Sequence, residues 1–358
     1  MRFRLSSVFG APHWPTVVLT YGIGAAGGFA AKAAHLPLPM LMGSLLAVGA
    51  AAIAGLRPLG RLPQAPQGFR MIAIPVIGVA IGGSARPEIL AQVAGWLPSL
   101  AALCLFIPVV HYLGYRLYAA QGADRLTAFY GAAPGGLIET VQMGEEAGAD
   151  IQMLAMLQFL RLILTIVFVP LAFTWMEGHA VGSAGGARVT GTALGPGDVA
   201  VLLACGIAGA VAGVRLRLPA GHVLGPILLS GAAHVTGLTA AVPPGWMIGA
   251  TQVVIGTALG VRFAGMARSR ILVALRMALV NTSFVIALAT LFAFAVAPLV
   301  GEPVRAVFLA VAPGGLIEMG LIALSLNMSI LYVTAHHLLR IILAVSIARA
   351  FGRRVRKD

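Results

Sequence analysis

The sequence predicts an all-α polytopic membrane protein made of two inverted structural repeats. Each repeat is expected to hold about five spans plus one broken, re-entrant Pro-Gly-Gly element. Three observations lead there: the composition, a duplicated heptapeptide and the placement of the basic residues. Apolar residues make up 59% of the 358 positions and charged ones 10%, where a soluble globule carries about 25% charged residues. Apolar tracts near the length of a bilayer crossing recur along the chain and read as helical spans. They are continuous rather than alternating, which excludes a β-barrel. The 45 Gly and 21 Pro suit helices that pack closely and break in places.

The heptapeptide is Ala-Pro-Gly-Gly-Leu-Ile-Glu, at Ala133–Glu139 and again at Ala312–Glu318, an offset of 179 residues or half the chain. Each copy is followed, 22 residues after its Glu, by an Arg inside an apolar tract: Arg161 and Arg340. Between 129–164 and 308–343, thirteen of thirty-six positions are identical without a gap. Weaker echoes extend the duplication: Gly22-Ile23-Gly24 with Gly206-Ile207-Ala208, Leu36-Pro37 with Leu218-Pro219, and Ile77-Gly78 with Ile255-Gly256. The chain therefore divides into repeat one (1–177), a Gly-rich linker (178–197) and repeat two (198–358).

Six apolar elements are expected in repeat one, at about 15–31, 36–55, 69–83, 95–119, 126–138 and 151–176. Repeat two offers about 198–214, 222–241, 246–263, 271–298, 303–325 and 329–350, followed by the basic tail Arg353–Lys357. The basic start Met1–Arg4 before Val17–Ala31 resembles a signal peptide, but the tract belongs to repeat one and reads as a retained span. Asp150 and Ser329 align at the 179 offset just before the last helix of each repeat and read as N-caps. Glu145 and Glu146 have no acidic counterparts in repeat two, where Leu324 and Ser325 stand; they read as a solvated outside turn.

The basic residues set the topology. If all twelve elements cross, the cytoplasmic side holds fourteen loop or terminal Lys and Arg and the outside eight. If the Pro-Gly-Gly elements do not cross, the second half turns over and the split becomes eighteen to four, with Lys32, Arg86, Arg188 and Arg305 outside. The second arrangement satisfies the positive-inside bias better. It makes the repeats inverted, an architecture associated with secondary transporters whose sites lie at broken helices near the midplane. The net charge of +13 is thus loop charge at a membrane surface and does not point to nucleic acid.

The repeated motif carries the candidate site. Pro134 and Pro313 remove a backbone donor and bias the preceding Ala away from helix. Gly135, Gly136, Gly314 and Gly315 permit a turn. Leu-Ile-Glu can then start a new helical turn whose amides attract anions. Such a break is tolerated at membrane depth where it lines a cavity or is buried in protein; a small-residue packing site is the structural alternative. Glu139 and Glu318 are ionisable groups in apolar elements, which are usually paired or functional. They suit a proton or cation coupling site, one side of a solute site, or a structural bridge to Arg161 and Arg340. Gln158 and Arg161 are three residues apart, as are His337 and Arg340, so each pair shares a helix face, with Thr165 and Thr334 extending it. The binding set is therefore Pro134, Gly135, Gly136, Glu139, Gln158, Arg161, Pro313, Gly314, Gly315, Glu318, His337 and Arg340.

Other chemistry is thin. Cys104 and Cys205 lie inside apolar tracts and suggest neither a disulfide nor a metal framework. His336 and His337 are adjacent and point in different directions on a helix, and the remaining histidines are dispersed, so no metal-ligand spacing is visible. No phosphate-binding loop, nucleophile elbow or catalytic triad order occurs. No cofactor and no catalytic residue is expected.

At the two Pro-Gly-Gly-Leu-Ile-Glu elements, each followed by an Arg-bearing helix, the chain resembles the AbrB-type membrane protein family, described as carrying an internal AbrB duplication. The resemblance covers nearly the whole length. It brings two inherited labels, a regulator of gene expression and an ammonia monooxygenase. The residues support neither, since no metal site or long soluble segment is visible. The implied fold is similar to inverted-repeat antiporters and bile-acid-type symporters, an analogy that names no substrate. The expected function is a proton- or ion-coupled secondary transporter or exporter of a small solute, multi-pass in the bacterial inner membrane. The alternative is a membrane sensor or regulator without transport; a membrane oxidase ranks last. The expected partners are the lipid bilayer and the solute, with no nucleic acid; homo-oligomerisation is left open.

Overall fold

The computed structural model describes residues 12–86, 92–181, 195–326 and 328–357. Among them the regular structure is entirely helical. Repeat one supplies α1 (Trp14–Ala33), α2 (Pro39–Ala54), α3 (Gln67–Gly82), α4 (Leu97–Ala120), α5 (Arg125–Ala132), α6 (Leu137–Ala147) and α7 (Ile151–Glu177). Repeat two supplies α8 (Pro196–Arg215), α9 (Gly221–Val235), α10 (Gly245–Gly260), α11 (Arg268–Val300), α12 (Val304–Val311), α13 (Leu316–Ser325) and α14 (Ile330–Lys357). Most of the Gly-rich linker, 182–194, lies outside the described residues, as do residues 1–11.

Among the described residues six helices are long and apolar enough to cross a membrane: those over Val93–Ala120, Ile151–Glu177, Pro196–Arg215, Gly245–Phe263, Arg268–Val300 and Ile330–Gly352. Helices α2 and α3 have 16 residues each, about 24 Å at the α-helical rise, which is short of a ~30 Å hydrocarbon core. Helix α9, at 15 residues, is shorter still. Proline and glycine set these lengths. Pro39 opens α2 and Gly55, at φ 80°, closes it, as expected for a fixed-φ start and a left-handed end.

Two departures from the sequence reading concern the fifth and sixth elements. The tract expected over 126–138 is two helices, and the second runs on to Ala147. Glu145 and Glu146 thus belong to α6, because Leu137–Ala147 has the spacing of an amphipathic helix and closes on Gly148 at φ 96°. The basic tail continues α14 to Lys357, in keeping with the good helix propensity of Arg and Lys.

The helices sort into two packed groups to which both repeats contribute. In the first, α1 packs on α2, α2 on α10, α3 on α9, and α8 on α9. The α1/α2 contact is backbone-close: a Cβ on Gly27 would strike the Gly43 carbonyl oxygen, so only small residues fit. In the second, α4 packs on α5, α11 and α14, while α7 packs on α5, α6 and α11. Helix α14 packs on α5, α6, α12 and α13. The partnerships are reciprocal: α2 with α10 mirrors α3 with α9, and α4 with α14 mirrors α11 with α7.

Polar contacts fix which helix ends meet. Arg268, in the first turn of α11, donates to Ile53 O at 2.9 Å and Ala54 O at 2.8 Å at the end of α2. Arg270 pairs with Asp150, before α7, at 2.5 Å. At the far end of α7, Glu177 pairs with Arg305 in the first turn of α12. The Asp150 amide donates to Thr127 Oγ1 at 2.9 Å, so the chain leaving α6 comes back to the first turn of α5.

Candidate functional site

Both heptapeptides break a helix. Helix α5 starts on Asp124, whose carboxylate accepts the Thr127 amide at 2.9 Å, and stops at Ala132 because Pro134 cannot continue it. Ala133 is extended (φ −56°, ψ 120°), and Gly136 is left-handed (φ 63°, ψ 50°) where α6 begins. Helix α12 stops at Val311, with Ala312 at φ −53° and ψ 143°. In the second copy Gly315 is extended, at φ −84° and ψ 153°. Identical sequences thus restart their helices through different backbone conformations. Both prolines lie within the break rather than in the first turn of the following helix.

The carbonyls released by each break are bound by the polar stripe of the long helix that follows. Arg161 Nη1 donates to Ala133 O at 2.5 Å and Nη2 to Gln158 Oε1 at 2.7 Å. Gln158 Nε2 donates to Tyr130 O at 2.7 Å and Gly131 O at 3.2 Å. In repeat two, Arg340 Nη1 donates to Ala312 O and Nη2 to Gly314 O at 2.5 Å. His337 Nε2 donates to Leu309 O at 2.9 Å. The acceptors Tyr130 and Leu309, like Ala133 and Ala312, stand 179 residues apart. A cation at a helix C-terminus also meets the negative end of its dipole. Gln158 and His337 are fully buried, and Arg161 and Arg340 are 6% and 4% exposed.

The two breaks sit against one another's helices. A Cβ on Gly135 would lie 3.3 Å from Ile341 Cα and 3.5 Å from Arg340 O, on α14. One on Gly315 would lie 3.4 Å from Leu162 Cδ1, beside Arg161 on α7. Each motif therefore bonds the arginine of its own repeat and packs beside the arginine of the other.

The two glutamates part company. Glu318 is 5% exposed, and its Oε2 occupies the space a Cβ on Gly315 would need. Glu139 is exposed. Neither forms an ion pair with Arg161 or Arg340; among the described residues the ion pairs are Asp150–Arg270 and Glu177–Arg305. A Glu–Arg bridge within each repeat is thus replaced by Arg–carbonyl bonds. The half-helices differ in the same way. Helix α6 exposes Glu139, Gln142, Glu145 and Glu146, and Gln142 Nε2 donates to Glu146 Oε1 at 3.2 Å. Helix α13 buries Leu316 and Glu318 through Ala323.

Both N-caps form: Asp150 accepts the Met153 amide at 3.0 Å and Ser329 Oγ the Tyr332 amide at 3.4 Å. Thr165 Oγ1 donates to Arg161 O at 2.8 Å. His336, adjacent to the site, faces elsewhere: its Nδ1 donates to Tyr332 O at 2.8 Å and its Nε2 lies 2.8 Å from Ser99 Oγ on α4. Sequence reasoning passed over His111 and Asn281. His111 Nε2 donates to Phe129 O at 2.9 Å on α5, and Asn281 on α11 is buried beside Gly114 of α4. The single histidine of the 95–119 tract and the single asparagine of the 271–298 tract were the available signal. An apolar groove of 920 Å³ lies between α3 and α8, lined in part by Met71, Val79, Leu202 and Ile207, and holds none of the site residues.

Outside the spans, Glu302 sits in the turn between α11 and α12. Burial pushes its carboxyl above the usual range, and a hydrogen bond with Trp96 opposes the shift.

These features define a membrane-like helical protein with a duplicated, arginine-braced helix break. Residues 50–356 match the family described as Transition state regulatory protein AbrB, and the chain belongs to that family. It is similar to "Uncharacterized protein YhjN" of Bacillus subtilis (strain 168), at 27% identity over 92% of this chain and 91% of that protein. It is also similar to "Putative regulator AbrB" of Escherichia coli (strain K12), at 26% identity over 86% of this chain and 87% of that protein.

Proposed function

We propose that the protein is a secondary transporter of a small solute, coupled to a proton or another ion and working in the bacterial inner membrane. Its site is the pair of crossed breaks. The observation that carries this reading is the seating of each Pro-Gly-Gly turn on the arginine helix of the other repeat, Gly135 beside Ile341 and Gly315 beside Leu162. Broken helices that meet between two repeats are where such carriers bind their cargo.

Two further contacts support inverted repeats with re-entrant elements. The Asp150–Thr127 bond joins the start of α7 to the start of α5, so the α5–α6 pair enters and leaves at one end. Asp150 meets Arg270 at that end and Glu177 meets Arg305 at the other, so α12 starts opposite to its counterpart α5. The exposed polar face of α6 offers water a route to the first break, while buried α13 offers none at the second. Glu139 and Glu318 are the candidate coupling carboxylates.

The test is reconstitution into proteoliposomes with an entrapped pH-sensitive dye, challenged with solutes under imposed proton and sodium gradients. Wild type is expected to move protons or solute, and E139Q or E318Q to reduce that movement. Flux unchanged in both variants overturns the site; no flux under any gradient overturns transport. The names of the family and of the E. coli relative favour a second reading, a membrane sensor that binds its ligand at the same breaks without moving it.

A further inference from the structure

We infer that the crossed breaks bind an anion, a small carboxylate or oxyanion held between Arg161 and Arg340; its role as cargo rests on the transport reading above. Both guanidiniums are more than nine-tenths buried, and an arginine is never deprotonated in ordinary conditions. Burying such a charge is costly unless it is compensated.

Among the described residues the compensation is incomplete. The carbonyls that accept from Arg161 and Arg340 belong to helix ends, each worth about half a negative charge. The ion-paired carboxylates Asp150 and Glu177 are engaged by Arg270 and Arg305 at the two ends of α7. Glu139 is exposed. Glu318 is buried, with its carboxylate turned back over Gly315 in its own first turn. Among the described residues, two buried cations thus face at most one fully buried carboxylate.

The donors are unequal to the acceptors as well. A guanidinium has five N–H donors. In both arginines the Nε is buried and has no hydrogen-bond partner, although Arg161 Nη1 and both Nη groups of Arg340 hold carbonyls of the breaks and Arg161 Nη2 donates to Gln158 Oε1. The same unsatisfied donor thus recurs in both copies. The restarted helices add to it. Helix α6 has 11 residues and α13 has 10; Gly136 leaves α6 without a side-chain cap, while in α13 the Glu318 carboxylate accepts its own backbone amide over Gly315. An uncapped helix start on α6, and a carboxylate already drawn to the start of α13, mark the breaks as favourable to negative charge beside the buried cations. A bound anion would take up both Nε donors and neutralise one positive charge.

Thermal unfolding of the full chain in lipid nanodiscs tests this with three probes, acetate, inorganic phosphate and chloride, compared at equal ionic strength. A ligand that binds the folded state raises the midpoint in a saturable way. The expected result is stabilisation that differs among the anions and is the same with sodium, potassium or choline as counter-ion. R161Q and R340Q are expected to weaken the apparent affinity about tenfold or more, the loss of a charged hydrogen bond, with R161K and R340K intermediate. Equal responses to all three anions overturn the inference, as do arginine variants that respond like wild type. If the Gln variants do not fold, the anion ranking on wild type and the Lys variants decides. Anion binding without flux refutes transport alone; cation flux without anion selectivity refutes this inference alone.

Discussion

Arg340 holds Gly314: its Nη2 donates to the Gly314 carbonyl at 2.5 Å, across 26 residues of chain and inside a helix break. The bond brings a buried charge to a carbonyl that the broken helix cannot satisfy. Gln158 and Arg161 perform the equivalent task at the first break, on Tyr130, Gly131 and Ala133. A helix can stop and restart in an apolar environment only if its released carbonyls find donors.

Removal of the guanidinium therefore exposes the cost of the break. R340A strands the carbonyls of Ala312 and Gly314, and each buried unsatisfied group costs about 1–3 kcal/mol. R340A is expected to lower the thermal unfolding midpoint markedly and R340K to lower it less, because an ammonium reaches one carbonyl more easily than two. Equal midpoints for R340A and wild type would remove the bracing role.

The two glycine turns should respond differently to alanine. Gly136 adopts φ 63°, a conformation that costs an L-residue roughly 1–2 kcal/mol, and a Cβ there would lie 2.5 Å from Val345 Cγ2. Gly315 is extended, and the atoms nearest its Cβ would be the movable carboxylate of Glu318 and, at 3.4 Å, Leu162 Cδ1. G136A is expected to destabilise more than G315A in the same melting assay. The reverse order contradicts the backbone assignment.

Accessibility distinguishes the half-helices. With Cys104 and Cys205 replaced, Q142C and E146C on α6 are expected to react with a membrane-impermeant maleimide from the side that bears Arg57 and Arg215. L321C and I322C on α13 are expected to stay protected. Labelling of both helices to the same extent, or of neither, removes the proposed water route along α6.

Glu302 gives a pH dependence. Its carboxyl is raised by burial, so the folded state holds the proton more tightly than the unfolded one. That stability is fully present below the ordinary Glu range and is lost as pH rises through the raised value. E302Q is therefore expected to melt above wild type at neutral pH, with the gap closing below about pH 4. A gap that widens on acidification reverses the sign and excludes burial as the cause.

Much of the local structure of the candidate site was legible in the sequence. Seven identical residues and a matched Arg located both breaks, and the shared face of Gln158 with Arg161 and His337 with Arg340 follows from helical periodicity. The inequality of the two copies was partly legible too. Glu145 and Glu146 opposite Leu324 and Ser325 signal one polar and one apolar half-helix, yet they suggest a turn when the helix end is drawn at 138. The partners of the arginines were not legible. A Glu and an Arg in one motif suggest a salt bridge by charge alone, whereas a broken helix offers carbonyls within reach of the same guanidinium.

The sequence by itself determined the helical class, the duplication, the two break points and the residues around them, because hydropathy, periodicity and Pro-Gly-Gly chemistry are local. Only the tertiary structure decided that each break packs beside the other repeat's arginine. It also decided that Glu318 is buried while Glu139 is not, and that one Gly-Gly pair turns left-handed while its twin stays extended. Those outcomes depend on which side chains arrive from distant helices, Val345 at one turn and Leu162 at the other, and identical local sequences carry no record of their different neighbours.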